Sequence, residues 1–462
     1  MSNCTSLQEQ QPCAMGTLPQ GTVCSNNRSR MAIILGNFQN PHDQITAPLM
    51  RVGTLPVVLR TILGLGKAGV SRIVVCVDPA NGPNISAQLK DTGRLPESVE
   101  WLETTSETDP VRQVFLYHPL EAEQGHVLVL SGDTIYHPAL LRELVSWDAD
   151  GESLVLTCNG DPIGAWALSL EATAKINKQD GCMRPPGADV LRLSSTQHKE
   201  VGQDQWQQVV TAHDRIRAER NLDGWLVKPT DGIFARFNRR ISIPMSRQMI
   251  KWPISPNMIS LFTLGVGLVS GVFFAFGGYW NTVFAAVLSL WASILDGCDG
   301  EVARIRLMES DFGCWLETIC DYLYYLFIFS GMAIGLVRTI GPEFLFWSGL
   351  LVFGAIMTFV LAGMGRRRLA RGRPEQYLAI WQAQAESRRT NPILYFARHT
   401  EFILRRCFLP YAILAFALLG LTNVVLIASA IGANCAWIIS LYSYRRFSRP
   451  PAASPKPCTA PF

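Results

Sequence analysis

What this sequence lacks narrows its reading before any motif is considered. Net charge is nearly absent, +4 over 462 residues, which is too little to argue for nucleic acid as a partner. Histidine is scarce, with seven in the chain and no ligand cluster among them. Twelve cysteines are present, yet Cys4, Cys13, Cys24, Cys76, Cys158, Cys182, Cys298, Cys314, Cys320, Cys407, Cys435 and Cys458 show no paired spacing of the kind that holds zinc. They read as reduced, structural thiols. Residues 1–30 lack the apolar core of a secretory signal; being polar and rich in turn formers, they are expected to form a disordered tail, as are residues 448–462. The domain that follows the first tail is therefore expected to stay in the cytosol.

Long apolar runs are also missing, but only up to about residue 255. From there to about residue 444, runs near the spanning length of about 20 residues follow one another closely. That contrast, with 48% hydrophobic residues overall, predicts a soluble domain fused to an all-α polytopic membrane domain over 258–447. About six spans are expected, over 258–278, 281–297, 313–337, 343–364, 407–421 and 423–443. The connections near 279, 340 and 422 are short and, apart from Arg338, free of cations. Arg304, Arg306, "GRRRLARGR", "LRR" and "YRRFSR" lie on the other side. The positive-inside rule then puts both termini, and the end of the second span, in the cytoplasm.

Between the halves, residues 236–257 interleave Arg236, Arg239, Arg240, Arg247 and Lys251 with Ile241, Ile243, Met249, Ile250 and Trp252. Apolar and basic residues mixed in this way predict an amphipathic helix lying in the headgroup plane, while any single arginine here is equally well read as a positively charged flank of the first span. Pro256 in "SPNMIS" marks the start of the first span, because proline is tolerated in a first helical turn and serine or asparagine can cap it.

In the soluble half, residues 31–235, short β-branched runs alternate with helical ones: "MAIILG", "LPVVLRTILGLGKAGV", "RIVVCV", then "QVFLYHP" and "HVLVLSGDTIY" followed by "PALLRELVSW". This order predicts an α/β domain with a largely parallel sheet and a cleft at the carboxyl ends of its strands. The strand "AIIL", the helix exit "AGVSRIVV" and "LSGDT" resemble the sugar-phosphate nucleotidyltransferases, a likeness that makes Asp133 the expected metal ligand of this domain. The loop after Gly36 departs from that family. It runs "NFQNPHDQITAPLM", without the second glycine or the arginine, and Ala47 stands where the lysine before the proline belongs. A triphosphate cradle needs close backbone N–H groups and a cation. Both are missing, so a retained scaffold or substrate-binding module is favoured over a working cytidylyltransferase.

"ILDGCDGEVARIRLMESDFGCWLETICDYL" supplies the strongest signal. Ionisable residues in a spanning helix cost several kcal/mol by most estimates and are kept where they face a polar cavity. Asp296 and Asp299 are three apart, and Glu317 and Asp321 four apart, so each pair shares a helical face. Two facing pairs can enclose one or two divalent cations. Gly300, Ala303 and Gly313 leave room beside them, and Arg304 is one turn on, where a guanidinium could hold a phosphate.

The spacing is similar to the signature of the CDP-alcohol phosphotransferases, DxxDGxxARx8GxxxDxxxD, with Glu317 in place of the third aspartate. Together with "KPTDG", "NRRIS" and "SPN", it looks most like the bifunctional inositol-phosphate cytidylyltransferase and CDP-inositol phosphotransferase group. The resemblance implies a membrane enzyme that displaces CMP from a CDP-alcohol with the hydroxyl of a second alcohol. Asp296, Asp299 and Glu317 would hold Mg²⁺ or Mn²⁺, with Asp321 contributing to the metal site and serving as general base. Gly300, Ala303, Arg304 and Gly313 would bind the CDP part. A lipid bilayer and a homodimer come with the likeness. The alternative is a non-catalytic membrane protein in which both enzyme domains have decayed.

Overall fold

The structure is a computed structural model, and it describes residues 31–36, 47–79, 82–104, 110–117, 126–147, 152–169, 171–173, 196–227, 231–369, 392, 395 and 408–447. The two tails, the loop at 37–46 and the basic stretch after Leu369 lie outside the described residues. In chain order the first half runs β1 (Met31–Leu35), β2 (Arg51–Val52), β3 (Leu55–Pro56), α1 (Val57–Ala68), β4 (Arg72–Val77), α2 (Gly82–Lys90), β5 (Val99–Glu103), α3 (Pro110–Tyr117), β6 (His126–Ser131), β7 (Thr134–Tyr136), α4 (Pro138–Val145), β8 (Ser153–Cys158), β9 (Asp161–Ser169), β10 (Thr196–Glu200), β11 (Trp206–Gln208) and α5 (Ala212–Leu226). The second half is helical: α6 (Ile233–Met249), α7 (Pro256–Phe276), α8 (Tyr279–Arg306), α9 (Asp311–Thr339), α10 (Phe344–Leu369), α11 (Leu409–Leu418) and α12 (Thr422–Phe447).

Seven strands form one sheet in the order β10, β8, β9, β6, β1, β4, β5. It is largely parallel, as expected, with β9 antiparallel to both its neighbours. All five residues of β1 are buried, the pattern of a strand covered on both faces. Ala32 and Ile34 pack with Leu59, Ile62 and Leu65 of α1 on one side, while Met31, Ile33 and Leu35 meet Val114 and Phe115 of α3 on the other. Burial of each of the larger side chains, Ala32 aside, contributes roughly 1.5–3 kcal/mol relative to exposure. At the edge, β10 exposes Gln197, His198 and Glu200.

In the helical half, α7 starts where the sequence indicates. Pro256 lies in its first turn and the Ser255 side chain accepts a hydrogen bond from the Met258 N–H at 3.3 Å. Helix α7 packs along both α8 and α9. Gly331 and Gly335 of α9 allow the close approach, since an added Cβ would run into the carbonyl oxygens of Gly271 and Phe274 respectively. Two buried hydrogen bonds tie the bundle together, from Ser270 Oγ to the Ala285 carbonyl at 2.7 Å and between Ser289 Oγ and the Tyr324 hydroxyl at 2.7 Å.

Among the described residues four helices are long and apolar enough to cross a membrane: Pro256–Phe276, Tyr279–Arg306, Asp311–Thr339 and Thr422–Ile439. The other two expected spans fall on α10 (Phe344–Leu369), whose apolar part includes Phe344–Thr358, and on the shorter apolar helix Leu409–Leu418. Ten residues of helix rise only about 15 Å, half of a hydrocarbon core of about 30 Å.

The two halves share a core. Val52, Val57 and Ile135 of the α/β domain, Leu222 of α5, Ile259 of α7 and Cys298, Val302 and Ile305 of α8 form one buried cluster.

Candidate active site

The four carboxylates fall at one end of the bundle, on the last turns of α8 and the first turns of α9. A short connection joins these helices. Leu307 closes α8 in the left-handed region at φ 53°, and Ser310 opens α9, its hydroxyl accepting from the Gly313 N–H at 3.0 Å. Asp299 is buried; its side chain accepts from Ser260 Oγ of α7 at 2.5 Å and from the Gly300 N–H at 2.5 Å. Asp296 and Asp321 are half-buried and Glu317 is exposed. The charges of Asp296 and Glu317 are both within electrostatic reach of Asp299.

Arg304 is half-buried one turn beyond Asp299, and its Nε and Nη2 are buried without a hydrogen-bond partner. A Cβ added to Gly300 would stand 3.2 Å from Arg304 Nη1, so the glycine keeps the space beside the guanidinium open. Ala303 is half-buried on the same helix. Gly313 lies against the start of α7, where an added Cβ would be 3.5 Å from Asn257 Oδ1.

No three acidic, histidine or cysteine side chains converge to ligating distance among the described residues. The fit to a divalent cation therefore rests on the chemistry of the donors, hard carboxylate oxygens in one another's field, and on a buried guanidinium with unused donors.

A residue inside the motif escaped the sequence reading. Glu301 is completely buried, and its carboxylate accepts from Arg239 Nη1 at 2.5 Å, Ser242 Oγ at 2.5 Å and Ser246 Oγ at 2.6 Å, all on α6. Arg239 also donates to Asp231 Oδ2 and the Gly297 carbonyl, both at 3.4 Å. Burial alone would lower the pKa of the Arg239 guanidinium, but the Glu301 hydrogen bond and charge outweigh it and hold the group above its ordinary value. Arg239 is thus not a headgroup contact. Neither is Arg247, which donates to Asp223 Oδ1 at 2.7 Å and the Glu219 carbonyl at 2.6 Å. Arg236, Arg240 and Lys251 are exposed, beside exposed Ile233, Phe237 and Trp252. The serine positions at i+3 and i+7 from Arg239 were the available signal, a polar stripe on one helical face.

Asp133 sits at the carboxyl end of β6, where Gly132 donates to the Leu35 carbonyl at 2.8 Å and a Cβ at 132 would stand only 2.7 Å from that oxygen. Its carboxylate is fully buried. Ser131 Oγ and Thr134 Oγ1 donate to Oδ1 at 2.7 and 2.9 Å, and Gln208 Nε2 donates to Oδ2 at 2.8 Å. Ala47 is likewise buried.

Residues 253–422 match the family model for CDP-alcohol phosphatidyltransferase. The chain carries a CDP-alcohol phosphatidyltransferase domain. That domain includes α7, α8 and α9 and hence all four carboxylates, Arg304 and Glu301. Over 362 residues the chain is 24% identical to a protein of Aquifex aeolicus named bifunctional IPC transferase and DIPP synthase, a match covering 70% of this chain and 80% of that one. A protein of the same name from Rubrobacter xylanophilus is 27% identical over 332 residues, covering 62% and 72% respectively. Both matches are longer than the CDP-alcohol phosphatidyltransferase domain and extend beyond it. Among solved structures, the inositol-1-phosphate CTP transferase from T. maritima covers 43% of this chain and 98% of its own, at 14% identity and a TM-score of 0.35. At that score the likeness carries no argument, and the α/β architecture rests on the sheet itself.

Proposed function

We propose that this membrane protein transfers a substituted phosphate from a CDP-alcohol to an alcohol acceptor and releases CMP, using the residues at the α8–α9 end of the bundle. The observation that carries the reading is Arg304. Its guanidinium has buried, unpartnered donors beside the opening at Gly300, one turn from the buried Asp299. A cationic fork and a carboxylate group side by side suit a pyrophosphate and the ions that accompany it.

Asp296, Asp299 and Glu317, with Asp321 contributing, would hold Mg²⁺ or Mn²⁺. When bound, such ions neutralise the pyrophosphate and the departing CMP. Gly300, Ala303 and Gly313 leave room for the CDP part, and Arg304 donates to its phosphate oxygens. Asp321 accepts the proton of the acceptor hydroxyl. The freed oxygen forms a bond to the phosphorus that carries the donor alcohol, the bond from that phosphorus to the CMP oxygen breaks, and CMP leaves with the electron pair. Ser260 orients Asp299 by its hydrogen bond.

The inositol likeness of "KPTDG" and "NRRIS" supports a CDP-inositol-like donor over CDP-diacylglycerol. Positive charge at Arg304, Arg306 and "GRRRLARGR" supports a cytoplasmic site in a bilayer-embedded protein, with a homodimer by the family likeness. A non-catalytic membrane protein is not favoured, because every charge of the motif is present.

CMP release is expected to require a divalent cation. Excess EDTA should abolish it and added Mg²⁺ or Mn²⁺ should restore it; full activity in EDTA would remove the metal from the proposal. The α/β domain is a scaffold in this reading, with Asp133 enclosed by its hydrogen bonds and Ala47 replacing a cation. Purified protein given CTP and inositol phosphate should therefore yield no CDP-inositol. Its formation at a steady rate would show a working cytidylyltransferase.

A further inference from the structure

Eight residues, 305–312, separate Arg304 from Gly313 and so set the two halves of the phosphotransferase motif apart. This spacer lies against the α/β domain. Arg60 of α1 is buried and donates through Nη2 to the Ile305 carbonyl at 2.7 Å and to the Val52 carbonyl at 2.8 Å. Arg94, in the turns after α2, donates to the Leu307 carbonyl at 3.2 Å, and Lys67 of α1 pairs with Glu309 at 2.8 Å. The last carbonyls of a helix have no partner within it and carry partial negative charge, so cations placed there both satisfy and stabilise them.

Packing follows the same line. Ile305 is fully buried in the cluster with Val52 and Val57. Leu307 packs on the core that lines one face of the sheet. The β2–β3 hairpin presses on Ile305 at Gly53, where φ is +57° and a Cβ would stand 2.8 Å from Ile305 Cγ2. The spacer cannot shift without disturbing three cations and two apolar contacts, all from the other domain.

We propose that the α/β domain acts as a positioning clamp for the phosphotransferase site, holding 305–312 so that Asp296, Asp299 and Arg304 keep their placement relative to Gly313, Glu317 and Asp321. The inference rests on the function proposed above and gives a domain without a working triphosphate cradle a role in the reaction. Misplacement of reacting groups by about 1 Å, caused from a distance, can cost up to about 10²-fold in rate.

The test uses the full chain in detergent. Arg60 is buried, and Arg60→Ala could unfold its domain, so the decisive variant is Lys67→Ala with Arg94→Ala, at the edge of the contact. Its melting temperature should match wild type, amide exchange across 305–312 should quicken, and kcat for CMP release should fall about fivefold or more with the donor KM within about twofold. Lys67→Arg with Arg94→Lys should keep wild-type exchange and kcat. Faster exchange with full kcat would overturn the proposal, as would unchanged exchange, or loosening spread over the whole chain with a lowered melting temperature. Should wild-type protein release no CMP, the functional reading falls, while the exchange rates alone still decide whether these cations hold the spacer.

Discussion

Asp321→Asn is expected to lower the turnover of CMP release by about 10²-fold or more while leaving donor binding comparatively intact, because it removes the base that takes the acceptor proton. Glu317 shares the helical face and the charge but not the role. Glu317→Asp should be tolerated, since it keeps the charge and restores the residue usual in the motif. Glu317→Gln should raise the metal concentration required, because a ligand charge is lost. Metal titrations at saturating donor separate the two effects. Near-normal turnover in Asp321→Asn, or an unchanged metal requirement in Glu317→Gln, would show the roles to be misassigned.

Arg239→Ala is expected to destabilise the protein by about 3–5 kcal/mol, the cost of leaving a buried charge without its partner. Glu301 is completely buried and its strongest donor is Arg239. Ser242 and Ser246 would remain, two neutral hydroxyls facing a full carboxylate charge. Arg239→Met combined with Glu301→Leu should recover much of the loss, since replacing a buried ion pair by apolar groups of similar volume is often close to neutral. Thermal unfolding in detergent distinguishes the cases. A wild-type transition in the single variant would mean that the pair contributes little. Because α8 carries Asp296, Asp299 and Arg304 on neighbouring turns, loosening α6 from α8 should also reduce turnover.

Much of this was legible in the residues. β1 could be found because a strand covered on both faces must be apolar throughout, and all five of its residues are. The motif carboxylates could be found because a charge in an apolar run is costly and so conspicuous. Arg239 and Arg247 were misread for a physical reason. In a helix where cations and apolar residues interleave, the outward face is set by what packs against it, and the partners Glu301 and Asp223 cannot be identified from the helix alone. Glu301 itself was hidden among the motif's unspecified positions. The Arg60 contact to Ile305 joins residues 245 apart in the chain, beyond the reach of any local pattern. Span count was the weakest inference. Leu409–Leu418 is apolar enough for a membrane but too short to cross one by itself.

The most direct test is product analysis. The purified chain in detergent, with Mg²⁺ or Mn²⁺, is given a panel of CDP-alcohols, each with and without alcohol acceptors, and CMP and phosphodiester product are measured together. At least one pair should give CMP and a new phosphodiester in equal amounts, dependent on the acceptor and lost in Asp299→Asn. Absence of acceptor-dependent product across the panel from folded protein, or CMP release that proceeds equally in Asp299→Asn, would contradict a phosphotransferase at the α8–α9 site.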